Sequence, residues 1–113
     1  MFNKHDHSGF HSRITGVDQK TLVYGEHTLM TEFRLKKDHQ VPRHSHPCEQ
    51  TGYMIAGEMI LIIGSTSHRC LPGDSWCIPM NMEHQAEVIQ DSIVVEIFSP
   101  VREDYLPVRK EGR

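Results

Sequence analysis

His44-Ser45-His46, with Gln50 four residues on and His84 far downstream, are the residues of this chain whose types and spacing best suit chemistry. Side chains along a β-strand alternate between faces. The even numbers of His44, His46 and Gln50 therefore point all three the same way if one strand carries them. Two imidazoles, an amide oxygen and a third imidazole from another strand make a mixed nitrogen and oxygen site suited to a divalent first-row metal. Two neighbours compete with Gln50. Glu49 has the better ligand type but the opposite parity, which a bulge after His46-Pro47 would reverse. Cys48 shares the even parity, and a thiolate there would favour zinc or copper; a lone Cys is more often a small buried hydrophobe. Parity favours Gln50.

The elements that must position these residues read as strands. Over 20–37 the chain alternates: Leu29, Thr31, Phe33 and Leu35 share one parity, and Glu32, Arg34 and Lys36 the other. The stretch 53–63 is strand-like on both sides of Ala56-Gly57-Glu58, which is expected to bend tightly. Gly64-Ser65-Thr66-Ser67 and Leu71-Pro72-Gly73-Asp74 are turns, the second with Pro and Gly where a type II turn prefers them. Short strands are expected over 75–78, 84–89 and 93–98, with a loop at 79–83 and a turn at Asp91-Ser92. No window carries a helical apolar stripe of useful length. Many short strands between turns predict a sandwich or barrel.

Composition narrows the function classes. The length of 113 residues suits one domain, expected as an N-terminal arm over 1–12, a barrel over 13–106 and a tail over 107–113. A formal charge of −3 leaves no basic footprint for nucleic acid. Three cysteines without a CxxC pair argue against a disulfide framework and fit a reducing cytoplasm. No apolar leader is visible, and Met59-Ile60-Leu61-Ile62-Ile63 is far too short to span a bilayer, so a soluble protein without a membrane partner is expected. A second His-x-His, His5-Asp6-His7, has no downstream partner and reads as a solvated arm.

Two segments resemble the two motifs of the cupin superfamily. The first family motif runs Gly, five residues, His-x-His, three or four residues, Glu, six residues, Gly; here His44, His46, Gln50 and Gly57 keep those spacings. The second runs Gly, five residues, Pro-x-Gly, two residues, His, three residues, Asn; here Gly73, Pro79, Asn81 and His84 match in place. The departures are Asp38 for the first Gly, Gln50 for Glu, Asn81 for a Gly and Val88 for the final Asn. Asn tolerates the left-handed backbone that a loop Gly supplies. The resemblance implies an antiparallel double-stranded β-helix, also called a jelly roll. It also implies one divalent transition metal per chain (zinc, nickel, manganese or iron) on His44, His46, Gln50 and His84, and a homodimer.

The run from His44 to Tyr53, with Gly57 and the ending Phe98-Ser99-Pro100-Val101-Arg102-Glu103-Asp104-Tyr105-Leu106, resembles the pectin-degradation (KdgF-type) branch of small cupins. That branch implies metal-assisted conversion of unsaturated monouronates into open-chain keto forms. A neutral Gln ligand leaves the full charge of the dication, a stronger Lewis acid. Glu96, where the branch tends to have Asp, matches the proton-transfer position, and Arg102 the grip on the substrate carboxylate. Other readings stand beside these. Glu96 lies in an apolar strand and is either a cavity-facing base or a salt-bridged structural residue. Arg102 also suits a surface or dimer contact. Trp76, Tyr53, Met54, Met80, Met82 and Phe98 read as core or pocket lining, and Cys70 and Cys77 as packing residues. Two further functions use the same barrel: a metal-dependent dioxygenase of a small molecule, and a non-catalytic binder of a small ligand.

Overall fold

Alternating apolar and polar residues, broken by Gly, Pro and Asp turns, build an all-β chain. The computed structural model describes residues 1–107 and holds eight strands. They are β1 (His11–Ile14), β2 (Val17–Tyr24), β3 (Leu29–Leu35), β4 (Gln40–His44), β5 (Glu49–Ile63), β6 (Thr66–Cys70), β7 (Ser75–Ile78) and β8 (His84–Ser99). One 3₁₀ turn follows at Glu103–Tyr105. The expected tail over 107–113 lies, but for its first residue, outside the described residues. β1 takes in His11 and Ser12, at the end of the expected arm.

Every pairing is antiparallel, in the order β1-β2-β3-β8-β5-β6, with β4 also on β8 and β7 on β5. β5 and β8 are long and pair along their whole length. The N-terminal half of β8 carries β4 and its C-terminal half carries β3. The two long strands thus pass from one layer to the other and close a jelly roll, as sandwich strands do when they turn a corner at bulges.

The corner lies where the ladder shifts register between Met54 and Met59. Gly57 adopts φ +96°, and a Cβ there would overlap the Asp91 carbonyl and Ser92. The bulge flips the parity of β5: Gln50, Gly52 and Met54 are buried before it, Met59 and Leu61 after it. Ala56-Gly57-Glu58 therefore kinks a continuous strand instead of ending one. Asp91-Ser92 likewise is no turn but the middle of β8. Ser92 Oγ accepts from the Glu58 amide (3.1 Å) and donates to the Gln90 carbonyl (2.7 Å), while Asp91 Oδ1 accepts from the Lys37 amide (2.9 Å). Side chains replace the ladder bonds that the corner removes. The alternating stretch over 20–37 is two strands, separated by a turn closed from the Gly25 amide to the Thr28 carbonyl at 2.9 Å. Its parity holds, with Leu29, Thr31 and Leu35 buried.

The core sits inside the roll. Val17, Leu35, Met54, Met59, Leu61, Ile78 and Val94 pack together with Cys70, and Leu29, Cys48, Phe98 and Tyr105 form a second group. Cys70 packs as expected. Cys77, on the outward parity of β7, is exposed, and so are Tyr53, Met80 and Met82. For Cys77 and Tyr53 strand parity, not residue type, decides the face, while Met80 and Met82 stand in the loop between β7 and β8.

Candidate metal centre

β4 ends at His44 and the chain rejoins the sheet only at Glu49, so His44, His46 and Gln50 do not share one strand. His46 lies in the link between, where Pro47 adds no amide donor to a ladder. The convergence comes from the sheet. His44 is the register partner of His84 on β8, and Gln50 that of Phe98 on the same strand. β8 buries its even residues on both sides of the corner, where Gln90 alone of them is exposed, and this brings His84, Val94, Glu96 and Phe98 to one interior.

The three imidazoles place their candidate ligand nitrogens within 4.8 Å of one another. Their ring centres lie 4.2 Å (His44–His84), 5.0 Å (His46–His84) and 5.6 Å (His44–His46) apart. His44 Nδ1 contacts the Pro42 carbonyl at 2.7 Å and His84 Nδ1 the Met82 carbonyl at 2.8 Å. A carbonyl oxygen only accepts, so these nitrogens carry the protons and Nε2 is left with its lone pair. Burial, then the Arg102 charge, holds the His46 imidazole below its ordinary range. Burial brings His84 down to about 4, opposed by its bond to Met82. Both are neutral at neutral pH, as metal binding needs.

A metal can be tested against the buried polar atoms that find no partner. Among the described residues these are His46 Nδ1 and Nε2, His84 Nε2 and Gln50 Oε1, all from the same cluster. Unsatisfied buried polar atoms are costly, and a bound cation would accept lone pairs from His84 Nε2, Gln50 Oε1 and the unprotonated nitrogen of His46 together. The nitrogen and oxygen donor set suits a divalent first-row metal. The rivals of Gln50 stand elsewhere: Glu49 is exposed, and Cys48 is buried against Leu29, Phe98 and Tyr105.

Beside the cluster, Gln50 Nε2 donates to Glu96 Oε2, and Trp76 Nε1 donates to Glu96 Oε1 at 3.1 Å. Glu96 is buried and lies in no ion pair among those found in the described residues. Burial pushes its carboxyl up to about 8, against the pull of Gln50, Trp76 and Arg102. Glu96 lines the cavity, and the salt-bridged reading finds no ionic partner for it among the described residues. Arg102 stacks on Tyr105 (4.0 Å to the ring centre) and is held by both oxygens of Asp104 at 3.0 and 2.9 Å. His44, Gln50, His84, Glu96 and Arg102 all line a cavity of about 270 Å³, with Leu35 and Leu61 among its apolar walls. The sequence reads Trp76 as core or pocket lining, and its bond to Glu96 emerges only from the structure. Gly52, which leaves room for the indole, is the one sequence signal of it.

The Cupin domain family matches residues 31–99, and the chain belongs to it. No curated protein matches the chain. Among solved structures, KdgF from Halomonas sp. is 25% identical, with 93% of this chain and 96% of that one covered and a TM-score of 0.86. An RmlC-like cupin from Shewanella frigidimarina is 22% identical over 93% of this chain and 95% of that one, with a TM-score of 0.87. The polyketide cyclase RemF from Streptomyces resistomycificus is 21% identical, covers 91% of this chain and 73% of that one, and has a TM-score of 0.71. At their identities the last two show the fold alone.

Proposed function

We propose that the chain is a metal-dependent enzyme that converts a small sugar acid, an unsaturated monouronate, into its open-chain keto form. The observation that carries this reading is the cluster of unpartnered imidazole and amide atoms beside a buried, unpaired carboxyl in one cavity. The likeness to the Halomonas KdgF supports the substrate class. His44, His46, Gln50 and His84 would hold one divalent transition metal per chain. When bound, the metal supplies a Lewis acid that polarises a substrate oxygen.

The chain's own groups do the rest. The reaction is an isomerisation: the ring C–O bond of the hemiacetal opens, its hydroxyl loses a proton, and the enol carbon gains one. Glu96 is neutral up to about pH 8 and can hold that proton at a carboxyl oxygen. Gln50 and Trp76 orient the carboxyl through one bond to each oxygen. Arg102, stacked in place by Tyr105, would meet the substrate carboxylate. At ~30 Å³ per water the cavity has room for roughly nine waters, which accommodates one monosaccharide acid.

The test is metal content of protein purified without chelator, followed by an anaerobic assay on unsaturated uronates. About one divalent metal per chain, lost in His84→Ala and weakened in Gln50→Ala, with turnover that needs no O₂, is the expected result. No metal after reloading with zinc, nickel, manganese or iron sinks the metal-enzyme reading. Turnover confined to iron and coupled to O₂ would replace it with the dioxygenase, and a uronate bound but unchanged with the binding barrel.

The same proposal includes a homodimer in a reducing cytoplasm. Tyr53 and Ile55 of β5 are each 50% exposed, with Tyr53 registered on Val95 of β8, an apolar outer stripe that a second copy would cover. The three cysteines are free, and no described helix is long and apolar enough to cross a membrane. Light scattering that gives the mass of a single chain overturns the dimer.

A further inference from the structure

A second guanidinium stands at the cavity, and the fold has built a support for it. Arg13 lies on β1, at a register shift between Ser12 and Ile14, where it is the extra residue opposite the Val17–Asp18 step of β2. Bulges of this kind re-aim a side chain. Arg13 lines the same cavity as His44, Gln50, His84 and Arg102, and its guanidinium carbon is 5.0 Å from the centre of the Tyr105 ring. Arg102 stacks on the same ring at 4.0 Å.

Its partner is Gln19, which is fully buried. Gln19 Oε1 accepts from Arg13 Nε (3.1 Å) and Nη2 (2.7 Å). Gln19 Nε2 donates to Thr21 Oγ1 (2.9 Å) and Thr31 Oγ1 (2.8 Å). Both hydroxyls spend their own protons on backbone carbonyls, Thr31 on Lys20 and Thr21 on Tyr105. They can only accept from Gln19, so the amide cannot flip and its oxygen must face Arg13. A buried amide with every bond assigned is a rigid mount.

The mount supplies no charge. Asp104 shares the charge of Arg102, whereas the partner of Arg13 is a neutral amide, and Arg13 is in none of the ion pairs found among the described residues. An arginine oriented by a neutral acceptor beside an apolar cavity keeps its charge for a ligand. We infer that Arg13, aimed by the β1 bulge and held by Gln19, selects carboxylate-bearing ligands at the mouth of the cavity. This rests on the proposed sugar-acid reading for the size and class of ligand. It adds a residue that selects and does not react.

The experiment compares binding of galacturonate and of neutral galactose, by calorimetry, to metal-loaded parent protein, Arg13→Met, Arg13→Lys and Gln19→Leu. Turnover of an unsaturated uronate is measured on the same samples. The expected result is that the parent prefers galacturonate. Arg13→Met should weaken it by about tenfold to a hundredfold, the worth of one charged hydrogen bond, and leave galactose and metal content unchanged. Arg13→Lys should recover part of the loss, and Gln19→Leu should lie between. In turnover the loss should fall on KM more than on kcat. Equal binding of galacturonate by the parent and Arg13→Met, or a parent that prefers no carboxylate, overturns the inference. The proposed reaction fails separately: Arg13-dependent galacturonate binding without turnover keeps the selector and removes the reaction. Turnover with an unchanged KM in Arg13→Met does the reverse.

Discussion

Gln50 has two roles through its two amide atoms. Its Oε1 is a buried, unpartnered candidate ligand, and its Nε2 donates to Glu96. Gln50→Glu separates them. A carboxylate still ligates a divalent metal, but it gives Glu96 no donor and sets two carboxyl groups in contact, where they must share a proton. The expected outcome is about one metal per chain by elemental analysis with turnover down by about a hundredfold, the low end of what a positioned acid or base supplies. Unchanged turnover would mean that Gln50 does not orient Glu96. The backbone makes a similar point at Asp38 and Asn81, which stand where the family motifs have Gly. Both keep positive φ, 66° and 63°. Asn81→Ala should cost about 1 kcal/mol in a urea melt while Asn81→Gly costs little, because an L side chain pays for the left-handed region and Gly does not.

At the scale of elements, the corner of β5 and β8 decides which residues face the cavity. Gly57 takes φ +96° there with no space for a side chain against the backbone of Asp91. Gly57→Ala combines left-handed strain with backbone overlap, so a loss of at least about 2 kcal/mol is expected by denaturant unfolding. A loss below about 0.5 kcal/mol would show that the bulge tolerates a Cβ. The strand periods and the inward parity of β3 were legible, since alternation is a local signal. The continuity of β5 and β8 was not. Gly57 and Asp91-Ser92 look like turn residues, and only their packing against each other shows that they bend two long strands at one place.

For the whole molecule, the candidate ligands come from β4, the link to β5, β5 itself and β8. A metal bound to all four ties these segments together only in the folded state. Metal at a hundredfold excess over Kd should therefore stabilise the fold by about 2.7 kcal/mol, and chelator should lower the melting temperature of the loaded protein. Equal melting temperatures with and without chelator would remove the metal from the fold's energetics and from the site.

The sequence by itself determined the strand-rich class, the family, and the identities and spacings of His44, His46, Gln50 and His84, because residue type and short-range period are written directly in the chain. It also pointed to Glu96 and Arg102 through the resemblance of the C-terminal stretch, without deciding what surrounds them. The tertiary structure decided that Glu96 is buried without an ionic partner, that Trp76 bonds to it, that Arg102 is already paired with Asp104, and that Gln19 mounts Arg13. The bonds of Glu96 depend on which residues meet across β5, β7 and β8, and therefore on register; those of Arg102 with Asp104 and of Arg13 with Gln19 are short in sequence, and the 3₁₀ turn and the β1 bulge decide that these side chains meet. Hydrogen bonding and desolvation act between neighbours in space, so a pattern along the chain can propose a donor or a ligand but cannot say what stands opposite it.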